Sequence, residues 1–253
     1  MAQSQRVCRM CFAQYLSGVL AQEAHRDWAA AERRFHAVLA ADPPTDLRAD
    51  IYLSLGIAYE NQARWNESIA IAQEGVALWE TLGRPLKKTM LLRQIAIACY
   101  RGFEAGDLDA NALALGCAKC EEALQILATG HSLATTESLY QLDPQLYKAI
   151  TYQVLGCVYT CMGRYQDAQK SYEQFLALSI ARDDQFHIGC ASLYLADVMQ
   201  LGNHPDWAAT LALYENALTI FRQKEAMLFQ AHLLASQGSL YRSHNQPQTA
   251  IRS

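Results

Sequence analysis

The stretch from Lys148 to Ser179, KAITYQVLGCVYTCMGRYQDAQKSYEQFLALS, leaves a chain little freedom in how to fold. Tyr152, Leu155, Gly156 and Tyr159 fall at i, i+3, i+4 and i+7, so a helix places them on one stripe. Gly163 tolerates the left-handed conformation that ends a helix, and Tyr165, Ala168, Tyr172 and Phe175 then begin a second stripe of the same period. Two helices joined by so short a turn bury their stripes against each other, which predicts a helical hairpin. Small Gly156 and Ala168, set among Leu155, Tyr159 and Tyr172, let the helices approach closely while aromatic rings fill the space around the contact.

The spacing Tyr152-x2-Leu155-Gly156-x2-Tyr159 followed by Ala168-x3-Tyr172 resembles a tetratricopeptide repeat, with Tyr in place of the repeat's Trp and Phe and without its closing Pro. Used as a template, the pattern recurs along the chain. Tyr52, Leu55, Gly56 and Tyr59 are answered by Trp65, Ser68, Ala72 and Leu78. Before them a looser Tyr15, Gly18, Val19 stripe is answered by Trp28, Ala31, Phe35 and Val38, which Asp42-Pro43-Pro44 closes as a helix stop. Ile95, Ala96 and Cys99 pair with Gly116, Cys120, Ala123 and Leu124 across a long turn, Arg101 to Ala110. Leu195, Ala196 and Met199 lead through the turn Gly202 to Pro205 to Trp207, Tyr214, Ala217 and Leu218. Leu234, Gly238 and Tyr241 open a last pair that turns at Asn245 to Pro247 and reaches Ala250. Trp28, Trp65 and Trp207 are expected at equivalent buried places.

The small residues Gly18, Gly56, Ala96, Gly156, Ala196 and Gly238 are separated, by subtraction, by 38, 40, 60, 40 and 42 residues. Steps near 40 exceed the roughly 34 residues of the plain repeat and resemble the longer variety of kinesin light chains and maltose-activator-type bacterial regulators. The 60-residue step requires an insertion, placed in the long turn after Cys99 and in the Gly-, Ser- and Thr-bearing segment 129–144. The resemblance implies an all-α, right-handed superhelical solenoid of antiparallel helical hairpins. It spans 1–253 as one array of about five and a half repeats. The end lies barely inside the last return helix, so either that helix is a truncated cap or the chain is cut from a longer protein; since a half repeat exposes Leu240 and Tyr241, the cut is expected.

Composition agrees with that architecture. Hydrophobic residues make up 51% of the 253, enough for a core, and only 6 Pro and 13 Gly interrupt long Ala- and Leu-rich segments. No stretch approaches the apolar length of a membrane span and the N-terminus lacks a secretory pattern, so a cytoplasmic protein without a membrane role is expected. Eight Cys in helical patterns fit reduced thiols. A net charge of −4 supplies no basic field for nucleic acid.

Cys8-x2-Cys11 and Cys117-x2-Cys120 have the spacing of zinc or redox pairs. Both lie in helix-period segments without knuckle turns, so the thiols, like Cys157 and Cys161, read as small apolar helix residues. Asp107-x-Asp109-x-Asn111 begins like a calcium loop but has Ala112 where Gly is needed and Ala118 where Glu is needed; Asp107 or Asp109 reads as a helix cap. No nucleotide-binding, metalloprotease or serine-hydrolase motif is present, and the seven His are scattered. No catalysis, metal or cofactor is expected.

Arrays of this kind bind partners on the concave surface lined by the first helix of each pair. Stepping off the buried stripe predicts a groove formed by Glu60, Asn61, Arg93, Ile97, Arg101, Gln153, Cys157, Thr160, Asp197, Gln200, Ser239 and Arg242. Co-chaperones of the family clamp acidic chaperone tails with Lys, Asn and Arg on these faces. Here Leu53, Ile57, Gln153 and Cys157 occupy the matching places, so chaperone tails are not expected ligands. Arg93 and Arg101 either meet an acidic peptide or form a solvated helix face, the blander reading being the stronger. The expected function is a non-catalytic module binding a peptide or partner domain in this groove. The alternative is the sensor or regulatory region of a larger signalling protein carrying an ATPase, DNA-binding or protease domain elsewhere.

Overall fold

Most described helix ends of the protein fall where the sequence supplies a capping side chain or a left-handed residue. The computed structural model describes residues 2–129, 143–202 and 206–244, which carry eleven α-helices and no strand. The chain divides into two compact units, Met1–Tyr147 and Lys148–Ser253. The first contains α1 (Ala2–Glu23), α2 (Trp28–Ala40), α3 (Thr45–Asn61), α4 (Trp65–Thr81), α5 (Pro85–Glu104) and α6 (Ala110–Ala128). Helix α7 (Pro144–Cys161) runs into the second, which continues with α8 (Tyr165–Ala181), α9 (Gln185–Leu201), α10 (Trp207–Gln223) and α11 (Met227–His244). Both units are built of antiparallel helical hairpins, each helix packing on its sequence neighbours.

The turns repeat one device. Ala63, Gly83, Gly163, Asp183 and Glu225 have positive φ, and the next residue's N–H returns to a carbonyl five residues back: Arg64 to Tyr59, Arg84 to Trp79, Arg164 to Tyr159, Asp184 to Ser179 and Ala226 to Phe221, at 2.9–3.0 Å. This closure satisfies carbonyls that a helix end would otherwise leave unpaired. Asp27, Asp109, Asp184 and Asp206 then cap the following helices by accepting from backbone N–H groups. Asp109 is thus the cap expected ahead of Ala110, while Asp107 accepts instead from Trp65 Nε1 at 2.8 Å.

Within the hairpins, close approach depends on glycine facing a ring. A Cβ on Gly156 would meet Tyr172 Cδ1 and Cζ at 2.7 Å, and one on Gly18 would meet Phe35 Cε1 at 2.5 Å. Phe35 and Phe175 are fully buried and Tyr172 nearly so. The first unit's core gathers Phe35, Val38, Ile51 and Leu55, then Trp79, Leu91 and Ile95; the second's gathers Phe175, Tyr214, Phe221 and Leu233.

Three expectations change. The turn after Cys99 is short: Arg101, Gly102 and Phe103 continue α5, and the break comes only at Gly106, with φ +80°. Trp28, Trp65 and Trp207 all open return helices, but only Trp65 is buried, because Gly102 and Leu108 close over it. Leu240 is buried against the second unit's core, so of the two residues expected at the exposed end only Tyr241 stands exposed. Most of the 129–144 insertion, the turn residues 203–205 and the last turn at 245–247 lie outside the described residues.

Replacing Gly156 with Ala should lower the unfolding midpoint by the equivalent of about 1–3 kcal/mol, since the Tyr172 ring must leave its place. Gly163→Ala meets no atom within 4 Å and carries only the left-handed backbone strain, about 1 kcal/mol. Thermal unfolding of the two variants checks the order.

Candidate functional site

In the first unit the predicted groove residues are mostly engaged with one another or with their own helix. Glu60 is buried at 7% exposure, accepts from Gln94 Nε2 at 2.8 Å and is ion-paired with Arg101, whose guanidinium also lies 5.7 Å from the Trp65 ring centroid. Asn61 is exposed and donates to the Ile57 carbonyl at 2.9 Å. Ile97 is half-buried. Arg93 lies 5.5 Å from the Tyr147 ring centroid, and its enclosed Nη1 has no hydrogen-bond acceptor among the described residues. Burial lowers the pKa of that guanidinium. The two arginines therefore differ: Arg101 is already neutralised by Glu60, whereas Arg93 has no carboxylate partner among the described residues.

In the second unit the residues of α7 and α9 gather around tyrosine hydroxyls. Tyr172 lies within 3.5 Å of Cys157 Sγ and of Thr160 Oγ1, and its ring stacks on that of Tyr194 with centroids 5.5 Å apart. Gln153 hydrogen-bonds Tyr194. Tyr214, fully buried, donates to Asp197 Oδ1 at 2.7 Å and accepts from Gln200 Nε2. Burial raises the pKa of all three tyrosines, so each phenol stays neutral. Gln153, Cys157, Thr160, Asp197 and Gln200 are half-exposed, held on their inner side by buried rings. Ser239 and Arg242 on α11 are exposed.

Helix periodicity missed a second recurring feature because its key residue lies in a turn. Arg64 sits 4.3 Å from the Tyr59 ring centroid and binds Glu67; Arg164 sits 4.4 Å from Tyr159 and binds Asp167. Recognising it requires reading Tyr-x4-Arg-x2-acid across both helices. Arg64 also reaches Glu32 at 2.8 Å, and Tyr59 Oη lies 2.9 Å from His36 Nε2, so this cluster joins α2, α3 and α4. An open cleft of about 660 Å³ borders the Arg164 turn, lined by Gly163–Asp167, Gln169, Val198, Met199, Gly202 and Asp206.

Cys11, Cys99, Cys117, Cys120 and Cys190 are buried, and Cys157 and Cys161 are half-buried. Burial pushes Cys99 and Cys190 up to about 12. Among the described residues no three His, Cys, Asp or Glu side chains stand close enough to share a metal ion, and no helix is long and apolar enough to cross a membrane.

A tetratricopeptide-repeat family model matches residues 151–186, the hairpin of α7 and α8. The fold is similar to the crystal structure of BtubC (BKLC) from P. vanneervenii, at 16% identity and a TM-score of 0.66, over 88% of this chain and 84% of that one. Weaker overlaps occur with the Cut9-Hcn1 hetero-tetramer of the APC/C (14% identity, TM-score 0.39, 88% of this chain and 43% of that one) and with the apo form of the quorum sensor NprR from B. thuringiensis (17%, 0.35, 88% and 68%). No curated protein sequence gives a significant match. Residues 151–186 thus match a tetratricopeptide repeat, and the chain has a helical-repeat fold similar to that of BtubC.

Two measurements check the electrostatics. Burial pushes the Glu32 carboxyl up, but hydrogen bonds from Arg64 and Gln62 outweigh it and hold its pKa below the ordinary value; Arg64 lowers Glu67 likewise. A lowered acid stabilises the fold above its unfolded pKa, and that stability is lost as pH falls through the folded value. The unfolding midpoint should therefore drop as pH falls below about 5, and Glu32→Gln should flatten that dependence. Alkylation at about pH 8 should label Cys157 and Cys161 first, with Cys99 and Cys190 labelled only on denaturation, as peptide mass spectrometry would read.

Proposed function

We propose that this protein is a non-catalytic, cytoplasmic interaction module that binds a peptide or partner domain on the faces of its first helices. The observation that carries the reading is the half-exposed strip of α7 and α9 in the second unit. There Gln153, Thr160, Asp197 and Gln200 present polar atoms while buried Tyr172 and Tyr214 and half-buried Tyr194 fix their side chains. Polar groups immobilised before binding lose little entropy when a ligand arrives, which favours peptide recognition at fixed positions. The repeat match at 151–186 falls on the same hairpin. A mixed surface and a net charge of −4 argue against nucleic acid as the ligand. The places matching a chaperone-tail clamp hold Leu53, Ile57, Gln153 and Cys157, which offer no cationic pair.

The test is capture of partners by crosslinking and mass spectrometry with the wild type and with Gln153→Glu plus Arg242→Glu, using Lys170→Glu on the exposed side of α8 as control. Partner recovery should fall roughly tenfold or more in the double variant and stay unchanged in the control. Equal recovery of every partner by the double variant, at an unchanged unfolding midpoint, would exclude the first-helix face.

A further inference from the structure

An arginine inside a protein keeps its charge, so an enclosed guanidinium needs an acceptor. Other arginines of the chain have one: Arg48 is paired with Asp42, Arg64 with Glu32 and Glu67, Arg101 with Glu60 and Arg164 with Asp167. Arg93 differs. Its Nη1 is enclosed and meets no hydrogen-bond acceptor among the described residues.

The local sequence explains this. A helix brings positions 89, 90, 96 and 97 beside residue 93, and these are Thr, Met, Ala and Ile. Cys120 of α6 and Tyr147 in the first turn of α7 lie beside the guanidinium, and all three residues belong to the first unit. The acids of those two neighbouring segments are engaged elsewhere. Glu122 holds Lys88 and Lys119, Glu121 meets Cys117 on its own helix, and Asp143 caps α7 by accepting from the N–H groups of Gln145 and Leu146. Residue 93 as a whole is only half-buried, so a ligand on the α5 face can reach it.

We propose that Arg93 is the receptor for an Asp or Glu side chain of a peptide laid along α5. The planar guanidinium offers parallel N–H donors that match the two oxygens of a carboxylate. Without ligand the fold carries the cost of an unneutralised, enclosed charge, and a bound acid supplies the counter-charge in a place already shielded from water. Arg101 lies eight residues on, about 12 Å along the helix, and does not compete for that acid because Glu60 neutralises it. The ligand's carboxylate is therefore directed to one end of the α5 face, which sets the register of the peptide. The inference rests on the reading that partners bind the first-helix faces, and adds to it the charge of one ligand side chain.

Two measurements on the full chain test this. Arg93→Met removes the unpaired charge, so the unfolding midpoint of the ligand-free protein should rise by about 2 °C or more, whereas Arg101→Met strands buried Glu60 and should lower it. A midpoint that stays or falls in Arg93→Met overturns the proposal, because the guanidinium would then be neutralised within the chain. The second measurement uses as probes a peptide of alternating Glu and Ala with both ends blocked, its Gln counterpart, and inorganic phosphate. The Glu peptide should shift the NMR resonance of Arg93 Nε–H, the Gln peptide should not, and calorimetry should show Arg93→Met binding the Glu peptide at least roughly tenfold more weakly. A response to phosphate with none to the Glu peptide assigns the place to a free anion and overturns the peptide assignment. Glu-peptide binding that survives Arg93→Met but is lost in Gln153→Glu with Arg242→Glu overturns this site and leaves the strip of α7 and α9 as the ligand face; loss in neither counts against both.

Discussion

The contact of an aromatic ring with a glycine backbone sets the geometry on which the hairpins depend. Tyr172 lies over Gly156 and Phe35 over Gly18 at distances that leave no room for a methyl group. Flat rings filling a gap that a side chain would otherwise occupy bring two helices close and exclude water from a long stripe at once. The arrangement varies between hairpins. Opposite Gly56 the return helix offers Ile71 Cγ2 and the Ser68 carbonyl, each at 3.7 Å, and Gln94 Cγ of the next first helix comes to 3.2 Å of the open position. In the α5–α6 pair the glycine has moved to the return helix, where Gly116 faces Ala96 and Cys99.

Turns hold these hairpins in register by a second, polar device. A left-handed residue is followed by a helix start, and at 64 and 164 the starting arginine covers the tyrosine that ends the previous helix while binding an acid one turn ahead. The acid lies near the helix N-terminus, where the dipole favours negative charge. Cation, ring and carboxylate thus tie both helices to the turn between them. Lys87 does comparable work between hairpins, pairing with Asp50 at 2.9 Å and covering the Trp79 ring. Burial nevertheless leaves Asp50 with a raised pKa, so the cost of desolvating this carboxylate exceeds what the pairing returns.

Polar groups inside the second unit serve order more than adhesion. Three neutral phenols engage Gln153, Thr160, Asp197 and Gln200, and in doing so fix the outer atoms of those side chains. Such a strip is both part of the packing and part of the surface. In the first unit the equivalent face has been drawn inward: Glu60 is consumed by Gln94 and Arg101. The two faces thus differ chemically even though their helices follow one pattern.

Sequence alone determined the helical class, the hairpins and the repeat type, because periodicity of large and small residues is a local property that a helix converts directly into a stripe. It located Gly156, Ala168 and Tyr172 as the contact and Gly163 as the turn, and it marked the first-helix positions from Glu60 to Arg242. The tertiary structure decided what those positions are engaged in. Glu60 and Arg101 stand at groove spacing, yet their mutual pairing follows from α3 and α5 lying side by side, which no single helix encodes. Trp28, Trp65 and Trp207 share one place in the pattern, but burial depends on what covers each, and only Trp65 has Gly102 and Leu108 above it. Exposure of Leu16 and Leu20 was likewise invisible in the sequence, since apolar residues of other first helices are core where a neighbouring helix packs on them, as at Leu91 and Leu233.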